Sequence, residues 1–166
     1  VYVKDKFITS TICKKYIKLA KNPTPAVRDS YTANNPLWDE RIVDVTNDPI
    51  VLKVKKFLDA EFNLNLEIER AEIQNWFLGT YGSLHVHDNY DYMGINPRYN
   101  SLLYLNDNFK EGFFHTSHGV IIKPEIGRLT FFDGKEIHHG TSEVKKADRL
   151  TIIFWWKDQG VIKELK

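Results

Sequence analysis

A single cysteine, Cys13, stands among 166 residues, so no internal disulfide can staple this chain. It falls in an apolar helical pattern and reads as packing. A lone thiol suits a reducing compartment, and the expected location is cytoplasmic. Long apolar runs are missing as well: none approaches the ~20 residues of a membrane span, and no signal-peptide pattern is visible. An excess of charge of one sign is also absent. With 23 basic residues against 22 acidic ones the net charge is +1. That balance builds no broad field for nucleic acid or an anionic membrane, and neither is expected as a partner. The early lysines Lys14, Lys15, Lys18 and Lys21 read as the solvated face of a helix.

Aromatic side chains, by contrast, are plentiful: eight Tyr, ten Phe and four Trp. They favour half-buried pleated surfaces and tilt the composition towards β structure. A chain of this length buries enough surface for a core without staples, which suits one domain over residues 1–166. Residues 9–21 form a predicted helix, capped by Thr9 or Ser10, with Ile12, Tyr16, Leu19 and Ala20 at helical spacing. Residues 22–49 hold most of the prolines and read as loop around Leu37 and Trp38. A second helix starts at Asp48 as N-cap with Pro49 in the first turn, and Leu52, Lys55, Phe57, Leu58 and Phe62 follow.

After residue 65 the texture changes. Short β-branched and aromatic runs (Leu66, Ile68, Ile73 and Phe77; Ser101–Asn106; Val120–Ile122; Leu129–Phe132; Leu150–Trp156) alternate with turn residues such as Glu111-Gly112 and Asp133-Gly134. Many short strands at even intervals predict a sandwich or barrel, with the helices grouped ahead of it. The expected plan is a helical and looped buttress over 1–65 and a β core over 66–160. The fold class is mainly β with N-terminal helices (α+β).

All six histidines lie between 85 and 139. Histidine is neither a strong strand former nor a usual core residue, so this clustering asks for a reason, and metal binding supplies one. On a strand, His85 and His87 point to the same face and can converge on one ion. Asp88 and Asp91 offer a hard carboxylate nearby. A third ligand can come from His138 or His139 on a later strand. Two ligands close in sequence and one far away is the layout of a facial triad, which leaves open positions on the metal. Arg149 and Thr151 are also i and i+2, and a guanidinium beside a hydroxyl clamps a carboxylate.

Taken in order, Tyr81-Gly82, Tyr104-Leu105-Asn106, Glu111-Gly112-Phe113-Phe114, Pro124-Glu125-Ile126-Gly127, Phe131-Phe132, His139, Val144 and Arg149 form a set that spans nearly half the chain. Residues 81–156 thereby resemble the catalytic core of the 2-oxoglutarate/iron(II) dioxygenases, particularly the prolyl 4-hydroxylase-like branch. The resemblance implies a double-stranded β-helix (jelly roll) buttressed by helices. It implies iron(II), 2-oxoglutarate as co-substrate and O2, with ascorbate as an optional addition. The implied reaction hydroxylates an organic substrate, a small molecule or a peptide, with a peptidyl or amino-acid side chain such as proline favoured. His139 would be the distal iron ligand, because Arg149 follows it by ten residues. Arg149 would bind the far carboxylate of 2-oxoglutarate with Tyr104 and Thr151 assisting, and Trp155 would wall the pocket. His138 would stand behind the ligands or in packing.

The departure is at the proximal pair, where the usual pattern is His-x-Asp. Here His85-Val86-His87-Asp88-Asn89 resembles the His-x-His signature of some members of the wider superfamily. The expected metal ligands are His85, His87 and His139, with Asp88 as the alternative carboxylate if a bulge turns it inward. His115 and His118 flank a turn and read as exposed loop histidines. Tyr90, Tyr92, Met93, Asn96 and Arg98 belong to a segment that forms either a lid or an apolar cap. The competing class is a cupin-like metal-binding jelly roll, which would use the same histidines without needing Arg149 or 2-oxoglutarate.

Overall fold

The computed structural model describes residues 1–21, 41–87 and 94–160. Helix α1 runs Ser10–Leu19, and the Thr9 side chain accepts the Ile12 N–H at its start. Helix α2 spans Pro49–Phe62, with Pro in its first turn and Asp48 accepting the Ile50 N–H. The same Asp48 oxygen accepts the Tyr16 hydroxyl at 2.6 Å, so one carboxylate caps α2 and ties it to α1. Asn63 closes α2 in the left-handed conformation, φ 52°, which asparagine tolerates. Three apolar expectations fail at these helices, Phe62 among them at 37% exposed. Leu19 and Leu52 point outward, 48% and 52% exposed. The buried face of α1 is Cys13 and Tyr16, and that of α2 is Ile50, Val51, Val54 and Leu58. Lys14, Lys15 and Lys18 are exposed, as expected of a solvated face.

The strands are β1 (Tyr2–Lys4), β2 (Ile42–Asp44), β3 (Leu66–Trp76), β4 (Gly82–His85), β5 (Tyr99–Tyr104) and β6 (Lys110–Glu111). There follow β7 (Phe114–Thr116), β8 (Ile121–Ile122), β9 (Leu129–Phe132), β10 (His139–Thr141), β11 (Val144–Lys145) and β12 (Arg149–Asp158). They pair antiparallel into a six-stranded sheet, β1-β9-β5-β12-β3-β2, a four-stranded sheet, β4-β10-β7-β8, and the two-stranded β11-β6. This is the jelly-roll architecture expected of the chain. The helices do not stand wholly apart from it, because β1 and β2 supply both outer strands of the large sheet. The residues around β2 read as loop because its three residues carry too little pattern to register.

Strand alternation sorts the large sheet into two faces. Leu103, Ile152, Phe154, Trp156, Ala71 and Ile73 pack against α1 and α2, with Val54 and Leu58 wholly buried among them. Each such side chain contributes roughly 1.5–3 kcal/mol of transfer free energy, so this layer is the mechanical base of the fold. The other face meets the smaller sheet through Leu102, Phe132 and Ile153 on one side and Phe114 and Ile122 on the other. Tyr104, Asn100, Arg149, Thr151 and Trp155 share that inner face by their even spacing from Leu102 and Ile153. Among the described residues no helix is long and apolar enough to cross a membrane.

Candidate metal centre

His85 ends β4, His87 follows two residues later, and His139 opens β10, the partner of β4. The register sets His139 directly opposite His85. One ring nitrogen from each of the three histidines lies within 4.8 Å of those of the other two. The ring centroids are 5.1 Å (His85–His87), 4.5 Å (His85–His139) and 4.8 Å (His87–His139) apart. His87 and His139 are buried, while His85 is exposed at the rim.

The hydrogen bonds decide which nitrogen each ring offers. Nδ1 of His85 meets the Ser83 carbonyl at 2.8 Å, and Nδ1 of His139 meets the Ile137 carbonyl at 2.7 Å. A carbonyl only accepts, so both Nδ1 atoms carry the proton. Nδ1 of His87 meets Asn100 Oδ1 at 2.8 Å. Asn100 donates its Nδ2 to the Phe154 carbonyl, which turns its oxygen towards His87 and makes that Nδ1 a donor too. In that tautomer the Nε2 of each ring carries the lone pair. Those of His85 and His87 face each other at 3.2 Å. Two lone pairs cannot bond one another; a cation between them removes the conflict. Two nitrogens bound about 2.1 Å from one ion at a right angle would sit about 3 Å apart, so the spacing suits adjacent octahedral positions.

Electrostatics agree with that reading. Burial pushes the His87 imidazolium down to about 4, with the neighbouring His85 adding to the effect. Burial likewise pushes His139 down to about 3, against the hydrogen bond to Ile137. Its ring stacks on Phe114 at 5.8 Å and meets Phe132 edge-on at 4.6 Å. Both imidazoles are thus neutral at physiological pH, the form a metal requires.

Further along the inner face stands Arg149, 1% exposed. Its guanidinium lies between the rings of Trp76 (5.3 Å) and Tyr104 (5.4 Å). The Trp76 placement follows from register, since Arg149 pairs with Trp76 across β12 and β3. Thr151 pairs with Tyr104 across β12 and β5, so the three residues expected to act together do meet. The Tyr104 and Thr151 hydroxyls are both wholly buried and find no hydrogen-bond partner among the described residues. Burial raises the Tyr104 phenol, with the Arg149 charge pulling the other way, so it is a neutral donor. A buried guanidinium and two buried hydroxyls on one face, the Tyr104 hydroxyl beside the Arg149 guanidinium, match a carboxylate in charge and donor count.

Other expectations fare differently. His138 is exposed rather than packed behind the ligands. His115 lies on β7 and not in a loop, while His118 is exposed in the adjoining turn. Trp155 is buried, on the face of β12 that carries Arg149 and Thr151. Asp88, Asn89, Tyr90, Asp91, Tyr92 and Met93 lie outside the described residues, as do Leu37 and Trp38. Sequence reasoning overlooked Trp76 and Asn100. The signal for Asn100 was present, because it sits at i−4 from Tyr104 and so on the same face of one strand.

No family model matches the chain. Human prolyl 3-hydroxylase 2 is 33% identical over 75 residues, a match that takes in 41% of this chain and only 11% of that protein. Solved structures match far more of the chain. The viral collagen prolyl hydroxylase of Paramecium bursaria Chlorella virus-1, solved as its 2OG complex, superposes with TM-score 0.70 at 18% identity, covering 93% of this chain and 94% of that one. A Pseudomonas putida prolyl-4-hydroxylase gives 0.67 at 17% identity over 96% and 92% of the two chains. A Trichoplax adhaerens prolyl hydroxylase, in complex with a hypoxia inducible factor oxygen degradation domain peptide, gives 0.66 at 17% over 95% and 83%. Low identity with near-complete overlap means a shared scaffold: the chain has the double-stranded β-helix fold of these prolyl hydroxylases.

Proposed function

We propose that the chain is a non-haem iron(II) oxygenase that consumes 2-oxoglutarate and O2 to hydroxylate an organic substrate. The observation that carries this is the presence of three converging imidazoles, two of them on strands of the smaller sheet, together with a buried Arg149 on the inner face of the large sheet. His85, His87 and His139 would hold the ion on one side and leave the opposite positions open. Arg149, with Tyr104 and Thr151, would anchor the far carboxylate of 2-oxoglutarate.

When bound, iron and co-substrate supply the oxidation: decarboxylation of 2-oxoglutarate to succinate and CO2 balances the insertion of one oxygen atom into a substrate C–H bond. The chain's own residues bind, orient and exclude water. Arg149 and the two hydroxyls fix one end of the co-substrate, which limits its rotation at the metal. Phe114 and Phe132 wall His139 and keep that side of the centre dry. A peptide or small molecule is the substrate class, and a peptidyl or amino-acid side chain, proline first, is the specific reading. It draws on the similarity to a viral collagen prolyl hydroxylase and to a Trichoplax prolyl hydroxylase that holds a peptide. The single, buried Cys13 thiol is in keeping with a cytoplasmic location.

The test is anaerobic titration of the iron(II)-loaded protein with 2-oxoglutarate, following the weak visible charge-transfer band of the chelate. A saturable band that Arg149→Ala abolishes at the same ligand concentration is the expected result. No band with metal demonstrably bound would overturn the reading in favour of a cupin-like metal site that has no use for Arg149.

A further inference from the structure

His87 has a weak claim on its position from secondary structure alone. It lies beyond the end of β4, outside the ladder that holds His85. Two of its hydrogen bonds reach other elements instead. Its backbone N–H donates to the Gly134 carbonyl at 2.8 Å, and its Nδ1 donates to Asn100 Oδ1 at 2.8 Å. Asn100 is wholly buried on β5 and pinned at its other end by the Phe154 carbonyl.

Gly134 belongs to a turn that is itself firmly built. The Asp133 carboxylate accepts the N–H groups of Lys135 and Glu136, both at 3.1 Å, and pairs with Arg98 at 2.8 Å. The Ile137 N–H returns to the Asp133 carbonyl at 2.9 Å. The Ile137 carbonyl at the far end of this turn is the acceptor for His139 Nδ1. One turn therefore offers an acceptor to two of the three histidines. At Gly134 a Cβ would lie 2.2 Å from Asn100 Oδ1 and 2.8 Å from His87 Nδ1. Gly134 is not among the residues with positive φ, so the backbone does not demand glycine here; the space does.

We propose that Asn100 and Gly134 are positioning residues for the metal centre: Asn100 locks His87 as the Nδ1–H tautomer with Nε2 aimed at the ion, and Gly134 keeps open the space in which that hydrogen bond forms. The inference rests on the metal-site reading above. Outer partners of this kind usually tune affinity, and their loss costs roughly 10- to 100-fold in metal binding.

The experiment is Co(II) titration of metal-free protein, paired with long-range 1H–15N correlation spectra that read the His87 tautomer without metal. Gly134→Ala and Asn100→Ala are each expected to weaken Co(II) binding by about 10- to 100-fold. Asn100→Ala should lose the single Nδ1–H pattern, and Asn100→Asp, which keeps an acceptor, should retain it. The double variant Gly134→Ala with Asn100→Ala should lose less than the two single losses multiplied, because one of the two atoms the new methyl strikes is gone. Unchanged Co(II) affinity in Gly134→Ala, independent losses that multiply in the double variant, or a preserved tautomer in Asn100→Ala would each overturn the proposal. Wild-type protein that takes up no Co(II) would instead sink the metal reading, and the tautomer comparison would still decide whether Asn100 holds His87.

Discussion

Metal-free protein should lose stability steeply as the pH falls from about 7.5 to about 5, because unfolding lets two buried histidines take up protons. Burial depresses His87 to about 4 and His139 to about 3, from an ordinary 6.5. Below 6.5 the unfolded chain binds protons that the folded chain refuses, so the stabilisation present at neutral pH drains away through that window. At about pH 5 the gap to the unfolded value is roughly 1.5 units, or about 2 kcal/mol per site at 1.36 kcal/mol per unit. Both sites together give roughly 4 kcal/mol, a large share of the 5–15 kcal/mol typical of a domain. Glu72 works in the opposite sense, since burial raises its carboxyl and the folded state keeps that proton more readily as the pH drops. A difference experiment removes it. Urea unfolding of the wild type and of His139→Gln, at several pH values across the window, should show the variant losing roughly 2 kcal/mol less. Equal slopes in the two proteins, or a wild type whose stability is flat over this range, would refute the assignment of buried neutral imidazoles.

Other consequences can be checked on purified protein. Leu58→Ala, at a wholly buried position of α2 packed on the large sheet, should cost about 2–5 kcal/mol in denaturant unfolding and leave the Co(II) affinity unchanged. A divalent ion at 1,000 times its dissociation constant should stabilise the wild type by about 4 kcal/mol, and a chelator should reverse the gain; His139→Ala should show neither effect.

The sequence revealed the chemistry more readily than the frame that holds it. His85 with His87, and Arg149 with Thr151, could be singled out because strand alternation is local: residues two apart share a face whatever the rest of the fold does. The choice of His139 over His138, and the role of Tyr104, came from the family resemblance. Pairing across strands is not local. Trp76 lies against Arg149 only because β3 and β12 run in one particular register, and nothing near Trp76 announces it. Gly134 looked like an ordinary turn glycine, and its closeness to Asn100 comes from contacts between residues far apart in the chain. The helices show the same limit. Asp48-Pro49 marks the start of α2 by local chemistry, yet the face that α2 buries is set by the sheet beneath it, so Leu52 was assigned to the wrong side. At the end of β5, Asn106 read as part of a strand. Its side chain instead bonds the Leu150 N–H at 2.8 Å and the Asp148 carbonyl at 2.8 Å, doing with an amide what a further strand residue would do with backbone.

The proposed ligand set of His85, His87 and His139 would also carry an electrostatic consequence that separates it from a centre with one carboxylate. Three neutral imidazoles leave the full double charge of the ion uncompensated, so the open positions should favour anions. At about 4 Å and an effective dielectric constant of about 20, one unit of charge changes an anion's energy by about 4 kcal/mol. Solvent at the exposed rim near His85 will screen part of that, and about 1.4 kcal/mol is already tenfold in affinity. Azide titrated into the Co(II)-loaded protein, followed through the visible cobalt bands, should therefore bind at least about tenfold more tightly to the wild type than to His85→Glu. The glutamate is long enough to keep a ligand at that position and brings the missing negative charge. Equal azide affinities, with one cobalt ion bound in each protein, would mean that the side chain at position 85 does not meet the ion, and Asp88 would become the first candidate to replace it. A tenfold or greater difference would show that the charge at position 85 is felt at the ion's open positions, as a three-imidazole centre requires.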